Sequence, residues 1–281
     1  MTSKKNPYLA SNLCPIVVSS CDKYSDIWPQ FFYLLFSKSD LLTSKVPVYL
    51  ITQKKEFHHP RVISFNTGVD HGWSANLKKC LTVIDSDYFI YLQDDFLLKN
   101  PLQYQTLEWL VKSLREKKGK YLSLTYDQLY QPEDSISQQD DIAPLSLENI
   151  WWVLGLEAAI WHAQSLEQLI EDSWNPWQAE SGLKKKAREA PHEYYIMTRS
   201  QKFHLEYIQA IKGGFWLKDA VKFCRKENIP IDLKTRPCPP WGETFFKKLY
   251  RSFLKRIMTL RDFLNQFLGS KKAVYPLELP Q

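Results

Sequence analysis

An α/β fold with a mostly parallel central sheet flanked by helices is what this sequence predicts, and three observations carry that expectation. Strand-like apolar runs alternate with helix-like segments over residues 15–125. Residues 88–92 (Tyr-Phe-Ile-Tyr-Leu) are apolar at every position, as suits a strand covered on both faces. That run then turns abruptly polar at Gln93-Asp94-Asp95, at the kind of strand end where open α/β sheets bind ligands.

Taken in order, residues 15–20 read as the first core strand, ending in the polar Cys21-Asp22-Lys23-Tyr24. Residues 28–36 predict a helix with Pro29 in its first turn. Residues 46–52 and 61–65 predict two further strands, and 66–72 a loop. Ser74 is a suitable N-cap for a helix that puts Leu77, Leu81 and Ile84 on one stripe. Beyond the 88–92 strand, Asn100-Pro101 opens a helix with Leu107, Val111 and Leu114 inward, ending near Gly119. Residues 121–125 predict a strand. Residues 131–144, with four acids and two prolines, predict a loop. Residues 150–161 return to the core. Ser165 and Gln168 read as a capping box for a helix to Asp172. Residues 174–180 form an aromatic turn, 184–188 a basic helical run and 194–198 a late strand. Gly213-Gly214 marks a tight loop before a helix near Ala220. Prolines at 237–240 break structure. The chain thus divides into a main domain over 1–240 and a basic tail over 241–281.

Composition narrows the classes. Five cysteines are scattered without CxxC spacing, which argues against a disulfide framework or a zinc site and for reducing cytosol. The first residues lead into no apolar signal core, and no run approaches the ~20 residues of a membrane span. Nucleic-acid binding is not expected, because the surplus positive charge sits at the C-terminus rather than along a sheet or groove.

Two adjacent carboxylates at the end of a core strand repel each other, and burial costs each unpaired charge several kcal/mol, roughly. A divalent cation relieves both costs, since hard cations take carboxylate oxygens. A solvated acidic turn is the competing reading of the same residues.

Three stretches together resemble a GT-A glycosyltransferase of the bacterial kind that builds lipopolysaccharide or capsule. The first is residues 17–28 (Val-Val-Ser-Ser-Cys-Asp-Lys-Tyr-Ser-Asp-Ile-Trp), followed by the Phe-rich helix and residues 46–50. The second is residues 73–81 leading into Tyr91-Leu92-Gln93-Asp94-Asp95-Phe96. The third is residues 156–161 continued by Asn175-Pro176-Trp177-Gln178-Ala179-Glu180. The resemblance implies a GT-A fold over 1–240 and inverting transfer of a sugar from a nucleotide-sugar donor to a saccharide or lipid-linked acceptor in cell-surface polysaccharide synthesis. It implies a divalent cation (Mn or Mg) on Asp95, with Asp94 beside it contacting ribose or metal-bound water. It places Asp22, Trp73, Asn76 and Lys79 at the nucleotide and Glu180 as the base for the acceptor hydroxyl. Gln93 stands where many relatives carry an acid, and Asn76 where many carry Arg. His162, His192 and His204 are candidate third metal ligands. Gly213 and Gly214 are candidates for close backbone approach to phosphate or acceptor. Structural roles compete at several of these: Asp22 capping a turn, Trp73 stapling its helix, Glu180 favouring a helix N-terminus. A nucleotidylyltransferase or a dehydrogenase would need a Gly-rich loop after the first strand, and Ser19-Ser20-Cys21-Asp22-Lys23 is not one. A non-catalytic, membrane-associated carbohydrate-binding or scaffold protein keeping the fold is the other reading.

Residues 244–268 complete the picture. At ~100° per residue a helix there gathers Phe245, Phe246, Leu249, Phe253, Ile257 and Leu260 on one half, with Lys247, Lys248, Arg251 and Lys255 opposite. Residues 244–272 carry eight basic residues and one acid, which leaves the rest of this +6 chain close to neutral. Such a helix suits an anionic membrane surface, so the expected location is the inner face of the cytoplasmic membrane, peripherally attached. Packing of the apolar half on the main domain is the competing reading.

Overall fold

The computed structural model describes residues 14–37, 39–125, 142–197 and 205–239. Its elements, in chain order, begin with β1 (Ile16–Ser19), α1 (Trp28–Ser37), β2 (Val48–Thr52), β3 (Val62–Asn66), α2 (Trp73–Leu81), β4 (Tyr88–Gln93) and β5 (Phe96–Leu98). They continue with α3 (Tyr104–Glu116), β6 (Tyr121–Ser123), β7 (Ile142–Pro144), α4 (Leu147–Val153), β8 (Ala159–His162), α5 (Ala163–Leu169) and α6 (Pro176–Ala187). The last are β9 (Tyr194–Met197), β10 (Tyr207–Gln209), β11 (Ile211–Lys212), β12 (Phe215–Trp216) and α7 (Lys218–Lys226).

The fold is mixed α/β with a large, mostly parallel sheet flanked by helices. Eight strands join in the order β3-β2-β1-β4-β8-β6-β9-β7. β1–β4, β6 and β9 run one way; β8 and β7 run against them. The alternation of side chains along β1 and β4 builds the core on both faces at once. Ile16, Val18, Ile90 and Leu92 pack with buried residues of α1, α3 and α7 on one face. Val17, Phe89 and Tyr91 pack with those of α2, α4, α5 and α6 on the other. At ~1.5–3 kcal/mol for each such side chain, this double-sided burial fixes β1 and β4 as the rigid centre. The register Ser19↔Gln93 then brings the carboxyl ends of the two strands level.

Several local expectations are corrected. Ser74 does not cap α2: Gly72 does, with φ +90, and Ser74 is buried in the first turn with its amide on the Trp174 carbonyl at 3.3 Å. The helix expected from Asn100 starts at Tyr104. The Ser165 box is replaced by His162, whose ring accepts from the Ser165 amide at 3.2 Å. The 150–161 stretch splits, with α4 starting before it and β8 ending it. Residues 142–144, expected as loop, pair with β9 as the edge strand β7. The aromatic turn and the basic run merge into α6, which Asn175 and Gln178 open with a capping box and Pro176 at its first position. Gly213 and Gly214 take φ +56 and +83 and turn the hairpin between β11 and β12, a conformation that favours glycine. The tail 241–281, the amphipathic stretch 244–268 and His204 lie outside the described residues.

Candidate functional site

The sheet's carboxyl edge at β1 and β4 gathers most of the polar side chains singled out above. Asp94, directly after β4, is only 4% exposed. Its Oδ2 accepts from the Ser20 hydroxyl, in a short contact, and from Trp28 Nε1 at 3.1 Å. The same indole N–H also reaches Ser20 Oγ at 2.7 Å. One carboxylate thereby ties the end of β1, the start of α1 and the end of β4 together. Burial raises its carboxyl well above the ordinary range; the Ser20 hydrogen bond opposes that, the Asp95 charge adds to it and the Trp28 bond opposes it again.

Asp95 is partly exposed and stands next to the antiparallel pair β5–β10, where its carbonyl accepts the Ala210 amide at 2.6 Å. Burial pushes its carboxyl up to about 6. The sign of the consequence is fixed. A folded-state pKa above the unfolded one means no penalty below about pH 4, a loss of stability as pH rises to about 6, and a constant loss above it. Asp95→Asn should therefore stabilise the unliganded protein near neutral pH, by about 3 kcal/mol at most and visible as a higher Tm, and hardly at all at about pH 4. Thermal unfolding of both chains across that range checks it.

The carboxylate pair has no basic side chain bonded to it among the described residues. Arg236, whose charge is felt at Asp94, is engaged elsewhere. Its Nε and Nη2 grip both oxygens of Asp26 at 2.8 and 2.7 Å, Nη1 donates to the Gly214 carbonyl at 3.2 Å, and the guanidinium lies 4.8 Å from the Tyr24 ring centroid. This clamp fastens the β11–β12 hairpin beside Asp95. Nothing in the sequence marks it, because Arg236 and Asp26 lie 210 residues apart.

Whether a divalent cation fits can be tested on these groups. A buried carboxylate beside a partly exposed one, the two repelling each other, is a suitable donor pair. Among the described residues no third Asp, Glu, His or Cys joins them to form a group of three. His162 pairs with Tyr88 at the opposite end of β4, and His192 lies in the turn that enters β9, so neither is placed to be that third ligand. The residues fit a cation of the sort held by one or two carboxylates with substrate phosphates completing the shell.

Of the remaining residues, Trp73 and Gln93 bond at this edge, whereas Asp22, Asn76, Lys79 and Glu180 are bonded to partners outside the aspartate pair. Trp73 Nε1 donates to Ser19 Oγ at 2.9 Å and to Tyr91 Oη at 3.3 Å, which sets the indole over the end of β1. Gln93 Nε2 reaches the same phenol at 3.4 Å. Asp22 accepts the Gln53, Lys54 and Lys55 amides at 2.9 to 3.3 Å. Burial pulls its carboxyl up, but those amides outweigh it and hold it low. Asn76 is buried, donating to Asp70 at 2.8 Å, and Lys79 Nζ donates to the Thr67 carbonyl at 2.7 Å. Both side chains are thus engaged with the loop that leads into α2. Glu180 lies on α6, paired with Lys184 in a short contact, and the Lys184 ammonium sits 5.8 Å from the Trp151 ring centroid. The Trp174 ring occupies the space any side chain at Gly182 would need, and so seats α6.

No protein-family model and no curated protein sequence matches the chain. Among solved structures, three of the most similar are of S. aureus TarS residues 1–349. The protein alone gives a TM-score of 0.48 at 11% identity, covering 69% of this chain and 59% of that one. Its complex with UDP gives 0.47 at 12% identity over 69% and 59%, and its complex with UDP-GlcNAc gives 0.47 at 11% over 69% and 57%. The chain thus spans less than two thirds of the length of these chains.

A broad groove also lies against β3, two strands from β1, lined by Glu56, His58, His59, Val62 and Ser64. It contains no paired carboxylates.

Proposed function

We propose that this chain is a GT-A-type glycosyltransferase that moves a sugar from a nucleotide-sugar to a saccharide or lipid-linked acceptor, with inversion, in cell-surface polysaccharide synthesis. The observation that carries the reading is the adjacent pair of buried Asp94 and partly exposed Asp95 at the carboxyl end of the central strand β4, level with the end of β1. A divalent cation bound there would supply Lewis-acid neutralisation of the charge on a leaving diphosphate. Asp95, partly exposed, is the ligand-facing carboxylate; Asp94 holds the strand ends in place beside it. Trp73, fixed by Ser19 and Tyr91, offers a ring for the nucleotide. Asp22, Asn76 and Lys79 shape the loops around it. Glu180 takes the proton of the acceptor hydroxyl once Lys184 gives way. Incubating the full chain with Mn2+, a panel of nucleotide-sugars and a panel of saccharide and lipid-linked acceptors should release nucleoside diphosphate from at least one pair; release from none rejects the reading.

A second reading, a carbohydrate-binding protein that keeps the fold without turnover, draws on Gln93, which stands where an acid would strengthen a cation site. Saturable binding of a nucleotide-sugar without release of diphosphate would favour it.

The proposal extends to location. Residues 244–268 would bind the anionic inner surface of the membrane, where a lipid-linked acceptor is met, each basic residue adding on the order of 1 kcal/mol. Co-sedimentation with anionic vesicles at low salt should be strong for the full chain and lost on removing 241–281. Equal binding by both, or none by either, refutes attachment through this segment.

A further inference from the structure

Glu157 has no part in the reading above, yet the sheet register delivers it to the same edge. Ala159 lies opposite both Tyr91 of β4 and Ser123 of β6. Both ladders end there; Glu157 precedes Ala159 by two residues, and the Leu124 amide on the Ala158 carbonyl at 3.0 Å holds this stretch beside the end of β6. Ala158, the residue next to Glu157, lines one small cavity together with Gln93, which precedes the aspartate pair.

Its side chain is exposed but held. Tyr207 Oη donates to Glu157 Oε2 in a short hydrogen bond. Tyr207 belongs to β10, whose partner β5 begins one residue after Asp95, and its ring meets Phe96 edge-on with centroids 4.8 Å apart. Gln93, Phe96, Ala158 and Tyr207 line one small cavity. A carboxylate with one oxygen unengaged among the described residues, steadied by a phenol and set beside aromatic rings, suits a sugar: the oxygen accepts from hydroxyls while the rings cover the apolar C–H faces.

We infer that Glu157, positioned by Tyr207, recognises hydroxyls of the donor's transferred sugar and so sets which sugar is accepted. The inference rests on the proposed nucleotide-sugar site. A diphosphate at Asp95 leaves the attached sugar to lie alongside, and Glu157 is the carboxylate that Tyr207 holds beside the cavity lined by Gln93 and Phe96.

Calorimetric titration of the full chain with Mn2+ separates the two ideas. Each nucleotide-sugar of a panel is compared with its own nucleoside diphosphate, for the parent, Glu157→Gln, Tyr207→Phe and Asp95→Ala. Glu157→Gln should weaken the bound nucleotide-sugar by about 10- to 100-fold, the range for a lost hydrogen bond to a charged group, and leave the diphosphate within about twofold. Tyr207→Phe should show a smaller loss with the same selectivity, and Asp95→Ala should weaken both ligands. Equal losses for sugar and diphosphate in Glu157→Gln, or no loss for either, overturn the inference while the site at Asp95 stands. A parent that binds diphosphates and no nucleotide-sugar overturns it too. If the parent binds neither, the proposed function fails with it.

Discussion

Asp95→Ala is expected to lower kcat by on the order of 10³ while the fold stays intact, because several kcal/mol of charge stabilisation at the diphosphate would go with it. The structure separates this residue from its neighbour. Asp94 accepts from Ser20 and Trp28 and ties three elements together, so its replacement should cost stability as well as activity. Asp95 makes its tertiary hydrogen bond through its backbone carbonyl, which alanine keeps. Its carboxyl is held up near 6 by burial, so losing it relieves the unliganded protein near neutral pH rather than harming it. The signature of the proposed role is therefore opposite movement: activity collapses and Tm holds or rises. Steady-state kinetics beside thermal unfolding reads both. Parent-like activity in this variant would remove Asp95 from the site.

Glu180→Gln is expected to depress kcat by ~10²- to 10⁴-fold, the usual worth of a general base, with donor affinity nearly unchanged. Glutamine keeps the shape and loses the basicity. The ion pair with Lys184 supplies the rival explanation: Glu180 is partly exposed on α6, four residues before Lys184, and such a pair stabilises a helix by only about 0.3–0.5 kcal/mol. A purely helical role would thus leave kcat untouched and shift Tm slightly. A base acts in the transition state, so kcat and kcat/KM should fall together. A variant that loses only donor binding would contradict the assignment.

The sheet was legible because its central strands are apolar on both faces: residues 15–20 and 88–92 have no other comfortable place than a core. The carboxylate pair was legible for the complementary reason, since Asp94-Asp95 breaks an otherwise buried run. Short pieces were harder. β5, β10 and the β11–β12 hairpin have three residues or fewer per strand, too few for a period to register, and they exist because they pair with each other rather than because of local propensity. β7 was hidden by the acids and prolines around it. Caps were misread where the helix starts earlier than the expected residue: α2 begins at Trp73 with Gly72 before it, so Ser74 falls inside the first turn, and α5 begins at Ala163 with His162 as its cap. Contacts across long separations left no sequence trace. The Arg236–Asp26 clamp and the Glu157–Tyr207 pair are products of topology alone. The tail is the reverse case, legible as a pattern of charge and phenylalanine and lying outside the described residues.

The central claim is that the carboxyl edge of β1 and β4 holds the donor diphosphate. A crystal structure of the full chain with Mn2+ and a nucleoside diphosphate that it binds tests this most directly. The account predicts the metal within coordination distance of Asp95, ~2.0–2.6 Å, with phosphate oxygens completing its shell and the nucleoside against Trp73. Diphosphate bound instead in the groove against β3, beside His58 and His59, with Asp95 untouched, would contradict it.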